Sequence, residues 1–153
     1  MSKAQLQSEI RYTIRLCQRT ARLYRRAQTF GTFLAIVGGS ATLSGTFGHL
    51  PTYVTLAGSS LLAVAGAALI AIRPADKAAQ NDADVKRYQA LMAKSSAMTE
   101  DALRQALEEA RQGDAVEVEP LRNVAFNDVM EEINRRDQLI ELSTHEQLLK
   151  VLA

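Results

Sequence analysis

Residues 27–72 read AQTFGTFLAIVGGSATLSGTFGHLPTYVTLAGSSLLAVAGAALIAI, and none of these 46 residues is Asp, Glu, Lys or Arg. Soluble domains place most of their charged side chains in water and rarely go so long without one. A bilayer core about 30 Å thick takes about 20 helical residues per crossing, because each residue rises about 1.5 Å. The run holds two such lengths, Thr29 to Gly48 and Thr52 to Ile72. Between them Gly48-His49-Leu50-Pro51 forms the turn, with Pro51 suited to the first turn of the second helix. The expected fold is an all-α membrane protein built on a two-span transmembrane helical hairpin, with amphipathic helices in the cytoplasm. The competing reading is a buried hairpin inside a soluble bundle. It draws on the dilution of the first span by Thr29, Thr32, Ser40, Thr42, Ser44, Thr46 and five glycines.

The charge outside the run is lopsided. Residues 1–26 carry seven bases against one acid, a balance of +6; from Arg73 onward 11 bases face 16 acids, a balance of −5. The whole chain of 153 residues therefore sums to only +1. Basic residues flanking a span stay on the cytoplasmic side. Arg19, Arg22, Arg25 and Arg26 precede the first span, Arg73 and Lys77 follow the second, and the turn carries only His49. Both termini are thus expected in the cytoplasm. A cleaved signal peptide fits poorly, because the apolar part starts too late and continues too far.

Within the spans, size is distributed unevenly. At about 100° per residue, Gly31, Thr32, Ala35, Gly38, Gly39, Thr42, Gly45 and Thr46 share one half of the first helix, opposite Phe30, Phe33, Ile36, Val37, Leu43 and Phe47. The second helix has a seam of Ser59, Ala63, Ala67 and Ala71 at spacing four. Small residues let helix backbones approach closely in lipid, where no hydrophobic force draws helices together. Two readings stand: the seams pack within one hairpin, or one of them packs between protomers of a homo-oligomer with Thr and Ser hydroxyls facing a pore.

Before the spans, Leu6, Ile10, Ile14, Cys17, Ala21 and Tyr24 form an apolar stripe at spacings of three and four. Arg11, Arg15, Arg19, Arg22 and Arg26 repeat on another face, and Arg25 adds to them. Such a basic stripe lies on anionic lipid headgroups, pairs with an acidic helix, or binds nucleic acid. Lipid headgroups together with helix pairing are the favoured reading. No nucleic acid is expected, since no stacking aromatics are interleaved and no reading motif occurs.

After Arg73-Pro74 a helix is expected from Ala75 to Ala97, pairing with the first helix. Thr99 with Glu100 and Asp101 has the form of an N-cap, opening a short helix that stops at Gly113. Ala115 to Glu119 is a linker or one short strand. Pro120 opens a helix carrying Leu121, Val124, Ala125, Val129, Ile133 and Ile140. Ser143-Thr144-His145-Glu146 matches a capping box before a last short helix. The domain division expected is 1–97, then a cytoplasmic helical region at 98–153.

No phosphate loop, metalloprotease helix, nucleophile elbow or kinase signature occurs in the chain. His49 and His145 are too few and too far apart for a zinc site, and the single Cys17 excludes an internal disulfide. Asp82 and Asp84, two apart on a helix, point to different faces. The expectation is a non-enzyme without cofactor or metal.

Three features together resemble the SLATT family, the SMODS- and SLOG-associated two-transmembrane effector domains of bacteria. They are the run Arg11 to Arg26, the close hairpin, and Arg73-Pro74-Ala75-Asp76-Lys77-Ala78 followed by Val85-Lys86-Arg87-Tyr88-Gln89-Ala90-Leu91. The likeness spans residues 6 to 97 and consists of residue type and spacing, with no catalytic signature. It implies an effector of the bacterial inner membrane, acting in antiviral or other conflict systems. Such an effector is triggered by a nucleotide-producing or nucleotide-sensing partner and permeabilises the membrane by forming a pore. The other class of function open to this sequence is a membrane anchor or scaffold that recruits a partner through its later helices.

Overall fold

The structure, a computed structural model, describes residues 2–48 and 51–153; His49 and Leu50 of the expected turn lie outside the described residues. The chain is all-helical, 83% helix, with no strand among the described residues. Six α-helices follow in order: α1 Lys3–Thr46, α2 Thr52–Ile72, α3 Pro74–Ser95, α4 Glu100–Arg111, α5 Arg122–Glu132 and α6 Thr144–Leu152. Short 3-10 turns at Glu119–Leu121 and Arg136–Gln138 precede and follow α5. Ala115 to Glu119 is therefore a connection and not a strand.

The chain forms two compact units, one of Met1–Leu23 with Lys77–Ala153, the other of Tyr24–Asp76. The division expected at residue 97 is not where the chain parts. The reason is that the early turns of α1 have two apolar faces, each closed by later segments. On one face Leu6 and Ile10 join Tyr88 of α3 and Leu103, Leu107 and Ala110 of α4. On the other, Leu16 joins Leu121, Val124, Ala125 and Ala153, with Tyr12, Leu23 and Leu149 packed around them. The first 23 residues cannot be grouped with the hairpin without exposing both clusters.

Local signals set most helix ends in this unit. The Thr99 hydroxyl accepts from the Ala102 amide at the start of α4, and Ser143 with Glu146 completes a reciprocal capping box on α6. The helix expected from Pro120 through Ile140 instead stops at Glu132. Asn134 turns the chain with φ of 60°, and the buried Asn127 side chain takes both backbone groups of Ile140, donating to its carbonyl at 2.8 Å and accepting from its amide at 2.9 Å. That exchange satisfies an extended backbone that could not also continue a helix.

In the second unit α2 runs antiparallel to the later part of α1, since Gly31 faces Leu69, Gly38 faces Leu62 and Gly45 faces Thr55. α2 ends at Arg73, which adopts the left-handed conformation and donates its amide to the Leu69 carbonyl. Pro74 then opens α3, where its missing N–H costs nothing.

Candidate functional site

Spacing explains the hairpin. Gly31, Gly38 and Gly45 recur every seven residues on α1, and Leu69, Leu62 and Thr55 recur every seven on α2 in the opposite direction; the Leu69 and Thr55 side chains fill the spaces at Gly31 and Gly45, while at Gly38 the α2 backbone itself closes in. The tightest approach is at Gly38, where an added Cβ would lie 2.6 Å from the Gly58 carbonyl oxygen and 2.7 Å from the Leu62 nitrogen. Both are backbone atoms and cannot swing aside. Gly58 is hemmed in reciprocally, by the Ala41 Cβ and the Gly38 carbonyl, each 2.8 Å away. One polar contact crosses the seam, between the Thr42 and Ser59 hydroxyls at 3.2 Å. Each also serves its own helix, Thr42 donating to the Gly38 carbonyl and Ser59 to that of Thr55.

The candidate packing residues therefore separate. Gly31, Ala35, Thr42 and Ser59 belong to the faces turned toward the partner helix, together with Gly38, Gly45, Gly58 and Ala65. Thr32 and Thr46 are exposed, and Gly39 is half-buried with only the tip of Leu62 within 4 Å of its notional Cβ. Thr32, Gly39 and Thr46 are also seven apart, forming a flank beside the closed face. Ala63, Ala67 and Ala71 are exposed, so beyond Ser59 the expected α2 seam does not pack within the hairpin. α2 meets the glycines of α1 through the Leu69 and Thr55 side chains and, at the tightest point, through the backbone of its own Gly58 and Leu62.

Outward, the hairpin unit exposes its largest apolar side chains. Phe30, Phe33, Ile36, Leu43 and Phe47 of the α1 part stand out, as do Tyr53, Leu56, Val64 and Ile70 of α2, the last with 78% exposure. By length and composition, one helical stretch among the described residues is apolar enough to cross a membrane, within Thr52–Ser95, and only 11% of it is buried. A cleft of about 270 Å³ between the two helices is walled by Phe30, Leu34, Leu61, Val64, Ala68 and Ile72, with no polar side chain to hold a polar ligand.

The arginines expected at a membrane surface divide as well. Arg19 is held by Asp128 through two parallel contacts of 2.8 and 2.9 Å, and its remaining nitrogen donates to the Lys150 carbonyl at 3.1 Å. Arg15 pairs with Glu132 at 2.6 Å. These two are corrected from headgroup contacts to ties onto α5, because the acidic half of the chain folds back against the basic half. Arg11, Arg22, Arg25 and Arg26 are exposed, and exposed Arg73 pairs with Asp76 at 2.6 Å.

A polar cluster that spacing alone did not indicate ties α3 to the segment after α4. The Tyr88 hydroxyl donates to the Asp114 carboxylate, 2.7 Å from its nearer oxygen, while Arg87 bridges Asp84 and Asp114 at 2.7 Å each. Asp84 also accepts the Ala115 amide at 2.9 Å. Burial raises the pKa of Asp114, outweighing Tyr88 and Arg87, and burial together with the Asp114 hydrogen bond raises that of Tyr88. Cys17 is pushed up to about 12, chiefly by burial and then by the charge of Asp84. Arg87 and Tyr88 stand in the run that carries the family likeness, but Asp114 lies 26 residues from Tyr88 and no spacing in the sequence links the two.

No group of three or more His, Cys, Asp or Glu side chains that could hold a metal occurs among the described residues. Comparison with protein families, with curated proteins and with solved structures finds no match.

Proposed function

We propose that residues 29–48 and 52–72 cross the bacterial inner membrane as a two-span hairpin and that the chain assembles into an oligomeric, non-enzymatic effector. Both termini lie in the cytoplasm under this reading. Its carrying observation is the outward face of the hairpin unit, where Phe33, Ile36, Leu43, Leu56 and Ile70 are exposed and no charge occurs between Ala27 and Ile72. Water makes such a surface costly and lipid makes it ordinary. The family likeness supplies the activity: a partner that makes or senses a nucleotide triggers the assembly, and the membrane is permeabilised. The flank of Thr32, Gly39 and Thr46 supports contact between copies, since it is small, weakly polar and outside the closed face. No cofactor or nucleic acid enters this reading; lipid and further copies of the chain are the partners.

A second reading, a membrane anchor that recruits a partner through its later helices, is favoured by the Thr42–Ser59 contact, which spends two of the hydroxyls that could wet a pore. Membrane potential separates the two. The effector reading expects a voltage-sensitive dye to report depolarisation when the chain is induced with its activated partner, and expects Gly39→Leu to abolish the effect while leaving the protein inserted. An intact potential, with insertion verified and the partner active, overturns the effector and leaves the anchor.

A further inference from the structure

We propose that the cleft in the hairpin unit holds an acyl chain of an anionic phospholipid, whose phosphate meets the arginines at the charged end of the cleft; this rests on the hairpin reading above. All of the lining lies within residues 24–76. The two helices meet at Gly31, where Leu69 fills the space, and at buried Ala65, but beside that contact Ala27 and Ala68 present only methyl groups. Phe30 on α1 and Val64 on α2, 62% and 69% exposed, stand as walls. The result is a furrow of about 270 Å³ whose lining side chains are all apolar. Its occupant is an apolar chain, because a polar one would lose its hydrogen bonds to water and find none here.

Charge at one end of the furrow identifies that chain. The Lys, Arg, Asp and Glu residues of 24–76 are Arg25, Arg26, Arg73 and Asp76, a balance of +2. All are exposed, and all stand within two residues of the lining residues Ala27, Ile72 and Pro74. From that end the lining runs along α1 from Ala27 to Leu34 and along α2 from Ile72 back to Leu61, about 10–16 Å at 1.5 Å per residue. A ligand complementary to this is long, apolar and negative at one end, as a phospholipid is, and arginine is the side chain best suited to its phosphate. A second copy fits less well. At about 100° per residue, Phe30 and Leu34 lie on one side of the Gly31, Gly38 and Gly45 line, and the Thr32, Gly39 and Thr46 flank lies on the other. Contact between copies and the furrow therefore occupy opposite edges of the seam.

The test exploits the absence of Trp from the chain. The full chain carries one tryptophan, Phe30→Trp in the furrow or Ile70→Trp facing outward at the same level, since Gly31 faces Leu69. Each is reconstituted in vesicles with acyl-brominated phosphatidylglycerol or acyl-brominated phosphatidylcholine as quencher, and helicity is verified by circular dichroism. The proposal expects phosphatidylglycerol to be favoured over phosphatidylcholine about fivefold more at position 30 than at position 70, the effect of one basic side chain near the surface. Filling the furrow with Ala68→Phe, or removing charge with Arg25→Gln and Arg26→Gln together, should bring position 30 down to the preference seen at 70. Strong quenching at both positions with the same preference overturns the proposal and leaves the hairpin reading standing. No quenching at either removes the hairpin reading and the proposal with it. Quenching at 30 that is weak with both lipids and recovers on diluting the protein assigns the furrow to a second copy, which overturns the proposal. Relief of the quenching at 30 by oleate as well as by unbrominated phosphatidylglycerol assigns it to a free fatty acid and overturns it too.

Discussion

The two units of this chain solve the packing problem by opposite means, although α1 belongs to both. In the unit of residues 1–23 and 77–153, α1 is covered by large side chains, Leu6, Ile10 and Leu16 among them, and its position is secured by ion pairs from Arg15 and Arg19. In the unit of residues 24–76 the same helix offers missing side chains. Gly31 and Gly45 admit the Leu69 and Thr55 side chains, Gly38 lies against the Gly58 and Leu62 backbone, and a hydroxyl pair, Thr42 with Ser59, links the helices across the seam. The first arrangement works in water, where burying aliphatic groups is favourable in itself. The second works where burial brings no hydrophobic gain and association depends on close van der Waals contact. A helix can therefore change its packing rule part-way along, and the change falls where the charges stop.

The sharpest way to break this comparison is to fill a hole. Gly38→Leu sets a side chain against the Gly58 and Leu62 backbones and should cost about 3 kcal/mol or more, opening the hairpin. Fluorescence transfer between labels on α1 and α2 in detergent would register the separation. Gly39→Leu, with nothing closer than 3.9 Å at its Cβ, should leave that transfer unchanged. Equal effects from the two would mean that the seven-residue spacing does not determine the seam.

On the charged side, Arg19 and Asp128 are 15% and 17% exposed and doubly bonded, so a double-mutant cycle of Arg19→Ala and Asp128→Ala should return a coupling of about 2 kcal/mol. Arg15 and Glu132 are 39% and 42% exposed, and solvent should hold their coupling to about 0.5 kcal/mol. Urea titrations of the full chain in detergent, followed by circular dichroism, would measure both. Removing the hairpin's own polar contact should matter about as little: Thr42→Val is expected to cost about 0.6 kcal/mol, as is usual for hydroxyl bonds between helices in lipid.

The smallest effect concerns Cys17. Its folded pKa of about 12 exceeds the unfolded value of 9.0, so burying the neutral thiol contributes stability that is complete below pH 9 and is lost as pH rises toward 12. At pH 8 the folded protein should resist iodoacetamide, whereas urea-unfolded protein should react. Rapid labelling of the folded chain would place Cys17 outside the core.

How much of this could be read beforehand depended on how local the cause was. The Thr99 cap and the Ser143–Glu146 box need only three residues of spacing, and both were legible. The small face of α1 was legible too, because glycines are conspicuous in an apolar run. Its complement within the hairpin was expected at Ser59, Ala63, Ala67 and Ala71; Ser59 lies there, but the other contacts come from Gly58, Leu62 and Leu69, and a leucine that fills a space looks in sequence like any lipid-facing leucine. Ile140 seemed to extend α5 by periodicity, but the Asn127 side chain, a tertiary partner 13 residues away, captured its backbone. The basic stripe was expected both to meet headgroups and to pair with an acidic helix, but which arginine pairs could not be read, because Asp128 is 109 residues from Arg19.

The central proposal is that the uncharged run of residues 27–72 crosses the membrane while the unit of residues 1–23 and 77–153 does not, and membrane extraction tests it most directly. The untagged chain, expressed in bacteria, should remain with the membranes through high salt and alkaline carbonate and be released only by detergent. Protease applied from the cytoplasmic side should cut in the connection at Asp114 to Val118 while sparing Phe30 to Ile72. Recovery of the folded chain in the aqueous supernatant without detergent, or cleavage of the hairpin helices along with that connection, would contradict the account.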